Sequence, residues 1–252
     1  MGAGLLSKRD APRNHSLIRV GIVAALTAEA RAISRRLANR GIPFTLNDGT
    51  LLAVSGIGAA AATAAALALI ESGAQALVSF GLAGGLDPSL AAGAIFLPAE
   101  IISSHTAAFR SSQDWRERLG GALEAHQPLM SGKLLSSTKA ITAVGDKAAA
   151  FAQTGAAAVD MESFAVAQIA AQYGLPFLTA RVIVDTANDA LPPAVMSASA
   201  SGSLHIGRMI GALARSPGDI IGILRLARRY RLASRSLRTI ADTGLLQDAA
   251  AR

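Results

Sequence analysis

Apolar residues along this chain fall into short runs, separated by turn residues and by stretches with helical spacing. IRVGIVAAL (Ile18 to Leu26) is an apolar run rich in β-branched residues. TAEARAISRRLANRG, which follows it, has helical spacing and a closing glycine at Gly41. The pair predicts a strand and then a helix. TLLAVSGIG reads as strand and turn, AAAATAAALALIESG as helix, and ALVSFGLAGG as a strand ending in a glycine turn. GAIFLPAEIISS (Gly93 to Ser104) predicts further strand, DWRERLGGALEAH an exposed helix, GKLLSS a return to the sheet, and VDMESFAVAQIAAQYG a helix started near Asp160 to Glu162. GLPFLTARVIVD supplies one more buried strand, closed by Asp185. From Ala194 onward the pattern is helical, broken at Ser216-Pro217-Gly218. Such alternation predicts an α/β fold of three layers, α/β/α, around a central twisted mixed sheet.

A chain of 252 residues with 51% hydrophobic content is long enough for one large core, so a single domain is expected. Its boundaries are placed at residues 17 to 214, after a flexible N-terminal tail (1 to 16) and before a basic C-terminal helical extension (215 to 252). The uncharged stretch Leu51 to Ile70 has the length of a membrane span. Its alanine and glycine content, the VSGIG turn inside it and the missing basic flank argue instead for a buried strand, turn and helix. The first residues carry their charges after a very short apolar run, the wrong order for a secretory signal. The chain has no cysteine, which excludes disulfide and thiolate chemistry and fits a cytoplasmic protein. Its four histidines, His15, His105, His126 and His205, lack ligand spacing, so no metal site is expected.

The net charge of +7 points to an anionic partner, yet the excess is local. LRLARRYRLASRSLR, ending at Arg238, carries six arginines and no acid. Leu226, Tyr230, Ala233, Leu237 and Ile240 share one helical face, while Arg225, Arg228, Arg235 and Arg238 lie toward another. A basic amphipathic helix of this kind can lie on an anionic membrane, and it can equally be a solvated arginine face covering the domain. Nucleic-acid binding is not expected, because few aromatic residues accompany the arginines.

In open α/β sheets, ligands sit beyond the carboxyl ends of the strands, and several polar residues fall there. Glu29 follows the first strand, the GLAGG turn (Gly81 to Gly85) follows a later one, VDMES opens a helix, and Asp185 closes the last apolar strand. Each has an ordinary reading as well. GLAGG can be turn chemistry, Asp160 and Glu162 can be acids favoured by a helix dipole, and Asp185 can cap the next turn.

Together these stretches resemble the nucleoside phosphorylase and nucleosidase superfamily, in particular the 5′-methylthioadenosine/S-adenosylhomocysteine nucleosidases. The resemblance rests on VGIVAALTAEARAI, VSGIGAAAA, FGLAGGLDPSLAAGAIFLP, VDMESFAVAQIAAQYGLPF and ARVIVDTAND in that order, over Ile18 to Asp189. It implies that Asp185 gives a proton to N7 of adenine, that Glu162 hydrogen-bonds the ribose hydroxyls and that Met161 packs on the sugar. Asp160 has either a structural or a substrate role. In the related phosphorylases the Glu29 position is an arginine that holds phosphate, and the places of a second arginine and a serine near the glycine turn are taken here by Ser79 and Leu82. A carboxylate at Glu29 can instead take a proton from water attacking the anomeric carbon, so hydrolysis is preferred over phosphorolysis. Phosphate could still be held by Arg181 and Arg208. No cofactor is implied.

Two positions depart from the methylthioadenosine pattern: Leu82 and Val184 stand where those nucleosidases carry serines. Ala140 replaces a stacking phenylalanine, which leaves Ile141 as the backbone partner of the base, with Ala83 and Gly84 lining the turn. The C-terminal region resembles the hopanoid-biosynthesis-associated phosphorylases. That resemblance implies an adenosine-linked lipid, adenosylhopane, as substrate, cleaved to adenine and ribosylhopane. The superfamily resemblance implies a homodimer, while the lack of cysteine fits the cytoplasm and the arginine helix allows peripheral membrane contact. The alternatives are a 5′-methylthioadenosine/S-adenosylhomocysteine nucleosidase and a non-catalytic adenosine-lipid binding protein. Against the binder, a protein that only binds has no need of a proton donor beside N7.

Overall fold

A computed structural model describes residues 18–103, 106–124, 129–190 and 220–249. The expected tail at 1–16, the break at Ser216-Pro217-Gly218 and Arg208 lie outside them. The first strand, β1 (Val20–Ala24), is buried at all five positions, as a β-branched run flanked on both sides should be. The helix after it, α1 (Thr27–Ile33), stops well before Gly41. Ser34 ends it in an extended conformation, where its hydroxyl donates to the Arg36 carbonyl (2.8 Å) and accepts the Arg36 N–H (3.2 Å). That local bonding competes with the next helical turn, which the apolar spacing alone did not register.

A two-strand edge, β2 (Phe44–Thr45) and β3 (Leu51–Val54), leads through Gly56 and Gly58 into α2 (Ala59–Glu71). The span-length apolar stretch is thus a buried strand, a turn and a core helix. No helix among the described residues is long and apolar enough to cross a membrane. The long strand β4 (Ala76–Gly85) runs parallel to β1 on one edge and to β11 (Phe177–Asp185) on the other. Where β1 has ended, the last two residues of β4 pair with β10 (Ala156–Asp160). The remaining strands are β5 (Ile95–Phe96), β6 (Glu100–Ser103), β7 (Thr106–Arg110), β8 (Leu129–Met130) and β9 (Lys133–Ser136). They complete one mixed sheet ordered β2-β3-β1-β4-β10-β9-β6-β7, with β11, β5 and β8 continuing from the other edge of β4.

Side chains alternate across this sheet and divide the core in two. Val20, Ile22 and Ala24 of β1 join Val78, Phe80 and Val182 on one face, covered by α1, α3 (Gln113–Glu124) and α6 (Ile220–Asp242). Val23, Leu77 and Ile183 point to the other face, under α2 and α5 (Ser163–Gln172). The helix predicted as exposed, α3, buries Trp115, Leu119 and Leu123, and the Trp115 indole donates to the Leu245 carbonyl at 2.7 Å.

α6, in the helical extension expected after residue 214, packs on the core. Ala233, Leu237 and Ile240 are buried in the same cluster as β1 and β11, and Ser236 donates to the Gly93 carbonyl at 2.7 Å. The helix is therefore a wall of the domain and no appendage. Of the two expectations for this helix, lying on a membrane or covering the domain, its apolar face meets the second, against α1, α3 and β11. Arg228, Arg231, Arg235 and Arg238 remain exposed on the outer side.

Candidate active site

The C-terminal half of β4 gathers the polar residues. Glu29, on the first turn of α1, is 3% exposed. One carboxylate oxygen accepts the Leu82 N–H of β4 and the other accepts the Leu26 N–H, each at 2.8 Å. Gly81 makes this approach possible, because a Cβ there would lie 2.5 Å from both Glu29 Oε1 and Arg181 Nη1. Burial raises the Glu29 pKa, and the Arg181 charge with the Leu82 and Leu26 N–H groups opposes the rise.

Asp185 ends β11 across from Gly84, where the register slips by one residue and turns the carboxylate toward β4. A Cβ on Gly84 would sit 3.2 Å from Asp185 Oδ2. The residues that carry Glu29 and Asp185 on β4, Leu82 and Gly84, are two apart, about 7 Å along a strand. Burial pushes the Asp185 pKa up, and the adjacent Lys147 ammonium pulls the other way.

The helix expected to start near Asp160 to Glu162 starts at the later end of that range. Asp160 is the last residue of β10, and α5 begins at Ser163 with Glu162 as its N-cap residue. The two carboxylates consequently part. Asp160 Oδ2 forms a buried ion pair with Arg181 Nη2 at 2.7 Å and accepts the Ser163 N–H at 3.1 Å. Arg181 also donates to Ser79 Oγ (2.7 Å) and Ser163 Oγ (2.9 Å). The arginine considered for phosphate is thereby committed to holding β4, β10, β11 and α5 together. Glu162 reaches across to accept the Gly58 N–H at 2.8 Å. Its pKa is raised to about 7, first by burial and then by the charge of Asp160, with Arg181 opposing.

The lining positions take their places around these acids. Ala83 is buried, and Leu82, Gly84 and Met161 are half-buried. Leu82 and Val184 pack on the core face covered by α1 and α6. Ile141 packs with Leu86, Leu135 and Val159, and Val159 is the β10 partner of Gly84. A surface groove of about 530 Å³ between Ser89–Ala94 and the Leu232–Thr239 side of α6 contains none of these residues.

One residue the sequence did not single out is Lys147, on α4 (Val144–Thr154), a helix absent from the predicted elements. Lys147 is fully buried, and it is the one buried residue of that helix. It contacts Asp185 Oδ2 and donates to the carbonyls of Thr186 (2.8 Å) and Asp189 (2.9 Å). Asp189 accepts from the Thr186 N–H (2.9 Å) and hydroxyl (2.6 Å) and pairs with Arg229 of α6. Nothing in the run AVGDKAAAFAQ distinguishes this lysine from a surface one.

The phosphorylase superfamily model matches residues 19–209. Among solved structures, 5′-methylthioadenosine/S-adenosylhomocysteine nucleosidase from Neisseria meningitidis with methylthio-immucillin-A is similar at a TM-score of 0.67. Its identity is 18%, over 93% of this chain and 100% of that one. Futalosine hydrolase from Helicobacter pylori is similar at a TM-score of 0.65, with 17% identity over 91% of this chain and 99% of the other. A Helicobacter pylori MTAN mutant with 5′-methylthioadenosine in its active site gives 0.65, with 16% identity over 89% and 98%.

Proposed function

The chain belongs to the phosphorylase superfamily, and from that premise we propose that it breaks the N-glycosidic bond of adenosylhopane by hydrolysis, releasing adenine and leaving ribosylhopane. The observation that carries this reading is the pair of buried acids, Glu29 and Asp185, set against Leu82 and Gly84 of one strand. As the bond to the anomeric carbon breaks, its electron pair passes to the base, and Asp185 supplies a proton to N7. Water adds its oxygen to the anomeric carbon and gives its proton to Glu29. The raised pKa values suit both tasks, since a buried acid keeps its proton longer and a buried carboxylate is a stronger base. Glu162 receives the ribose hydroxyls, Met161 packs on the sugar, and Ala83, Gly84 and the Ile141 backbone border the base.

Water is favoured over phosphate because Glu29 presents a carboxylate where an anion would have to sit, and Arg181 is neutralised by Asp160. The lipid reading is supported by Leu82 and Val184, half-buried apolar side chains at positions where the methylthioadenosine nucleosidases carry serines. A homodimer belongs to the same reading through the family resemblance, and sedimentation should give twice the monomer mass. The exposed arginines of α6 support a peripheral membrane contact made by charge alone.

The second reading is a 5′-methylthioadenosine/S-adenosylhomocysteine nucleosidase, favoured by the similarity to the Neisseria and Helicobacter structures. The deciding experiment incubates the protein with adenosylhopane and with methylthioadenosine, each with and without phosphate. Adenine release and the mass of the sugar product are followed. Lipid turnover without phosphate is expected. A phosphoribosyl product would overturn the hydrolytic step, and efficient turnover of methylthioadenosine alone would establish the second reading. Asp185→Asn and Glu29→Gln should each lower kcat by about 10²- to 10⁴-fold.

A further inference from the structure

We propose that Lys147 is the positioning residue of the general acid: its ammonium holds one carboxylate oxygen of Asp185, leaves the other to face the base, and sets the charge that Asp185 works against. The inference rests on the assignment of Asp185 as the proton donor. Three acceptors surround the three ammonium hydrogens: Asp185 Oδ2, the Thr186 carbonyl at 2.8 Å and the Asp189 carbonyl at 2.9 Å. The lysine is thus clamped, and it clamps Asp185 in turn. Burying an ammonium is costly, and Lys147 is the one fully buried residue of α4, whose apolar packing is left to the half-buried Ala150 and Phe151, so packing alone does not account for a cation there.

The site is closed by charged groups from three elements. Lys147 reaches Asp185 from α4, Asp189 lies in the turn after β11, and Arg229 of α6 pairs with Asp189. From β4, Gly84 lies beside the carboxylate and brings no charge. Lys147 and Arg229 favour the ionised form of Asp185, whereas burial and Asp189 favour the protonated one. Removing the lysine therefore leaves a weaker acid that keeps its proton to higher pH. For a group that must be protonated to act, the two consequences can be read separately. The plateau rate falls because a weaker acid transfers its proton less readily, and the alkaline limb of kcat/KM moves upward.

The test follows adenine release across pH for the wild type, Lys147→Met, Lys147→Arg and Asp185→Asn, with whichever of adenosylhopane or methylthioadenosine is turned over. Lys147→Met should show a limb raised by about 1–3 pH units, the effect of one adjacent opposite charge, and Lys147→Arg should return it toward the wild type. A Lys147→Met protein with an unmoved limb, beside an inactive Asp185→Asn, would overturn this inference and leave the general acid in place. Full turnover by Asp185→Asn would overturn the general acid and the inference with it. Should Lys147→Met not fold, the ¹⁵N ammonium resonance of Lys147 in the wild-type protein serves instead. Its shift should titrate with the midpoint of the alkaline limb, and a midpoint elsewhere would refute the coupling.

Discussion

Glu162 is a buried carboxyl whose pKa stands at about 7 in the folded protein, against 4.5 for a solvated glutamate. The native state consequently holds a proton that the unfolded chain has already released between those values. Its contribution to stability is fully present below about pH 4.5 and lost as pH rises through 7, on the order of 3 kcal/mol. Glutamine can still accept the Gly58 N–H and carries no charge. Glu162→Gln should therefore be more stable than the wild type at pH 8 and indistinguishable at pH 4.5, measured by urea denaturation. Equal differences at both pH values would refute the assignment. Burial of Glu29 and Asp185 acts in the same direction, so the wild type itself should lose stability on the alkaline side. At this scale the sequence exposed the acids, because carboxylates at the ends of apolar strands stand out. It left open what each one touches: Asp160 and Glu162, one residue apart from Met161, bind partners as distant in the chain as Arg181 and Gly58.

α6 shows how a basic helix can read as an appendage. Its apolar stripe through Ala233, Leu237 and Ile240 has the spacing of a membrane-facing helix and of a core helix alike, and only the presence of β11 and α1 beneath it decides. Leu237→Ala should cost about 2–5 kcal/mol in chemical denaturation, as expected for a core leucine. Replacing Arg228, Arg235 and Arg238 with glutamine should leave stability within about 1 kcal/mol. Those arginine changes should nonetheless weaken flotation with anionic vesicles, and unchanged flotation would remove the membrane contact from the functional reading. The same ambiguity hid α4. AVGDKAAAFAQT has helical propensity without a decisive apolar face, and the residue it buries is its lysine.

Across the whole molecule, β4 is the shared member: β1, β10 and β11 all pair with it, and Glu29 of α1, Asp160 at the end of β10 and Asp185 at the end of β11 lie around its C-terminal half. Because α6 closes one face of that sheet, a chain ending at residue 214 should lose the fold rather than keep a trimmed domain. Soluble expression, near-UV circular dichroism and dye binding to exposed apolar surface would check this. A truncated protein with native spectra would show that α6 is dispensable. What the sequence determined by itself was the succession of apolar runs and helical spacings, hence a layered mixed α/β domain, together with acids and glycines at strand ends. Those features are local, written in periods of two and of about 3.6 residues. Tertiary structure alone decided the pairing of Asp160 with Arg181, the clamp of Lys147 on Asp185 and the burial of α6. Charge neutralisation and packing depend on which distant segments meet, and neither leaves a periodic trace in the chain.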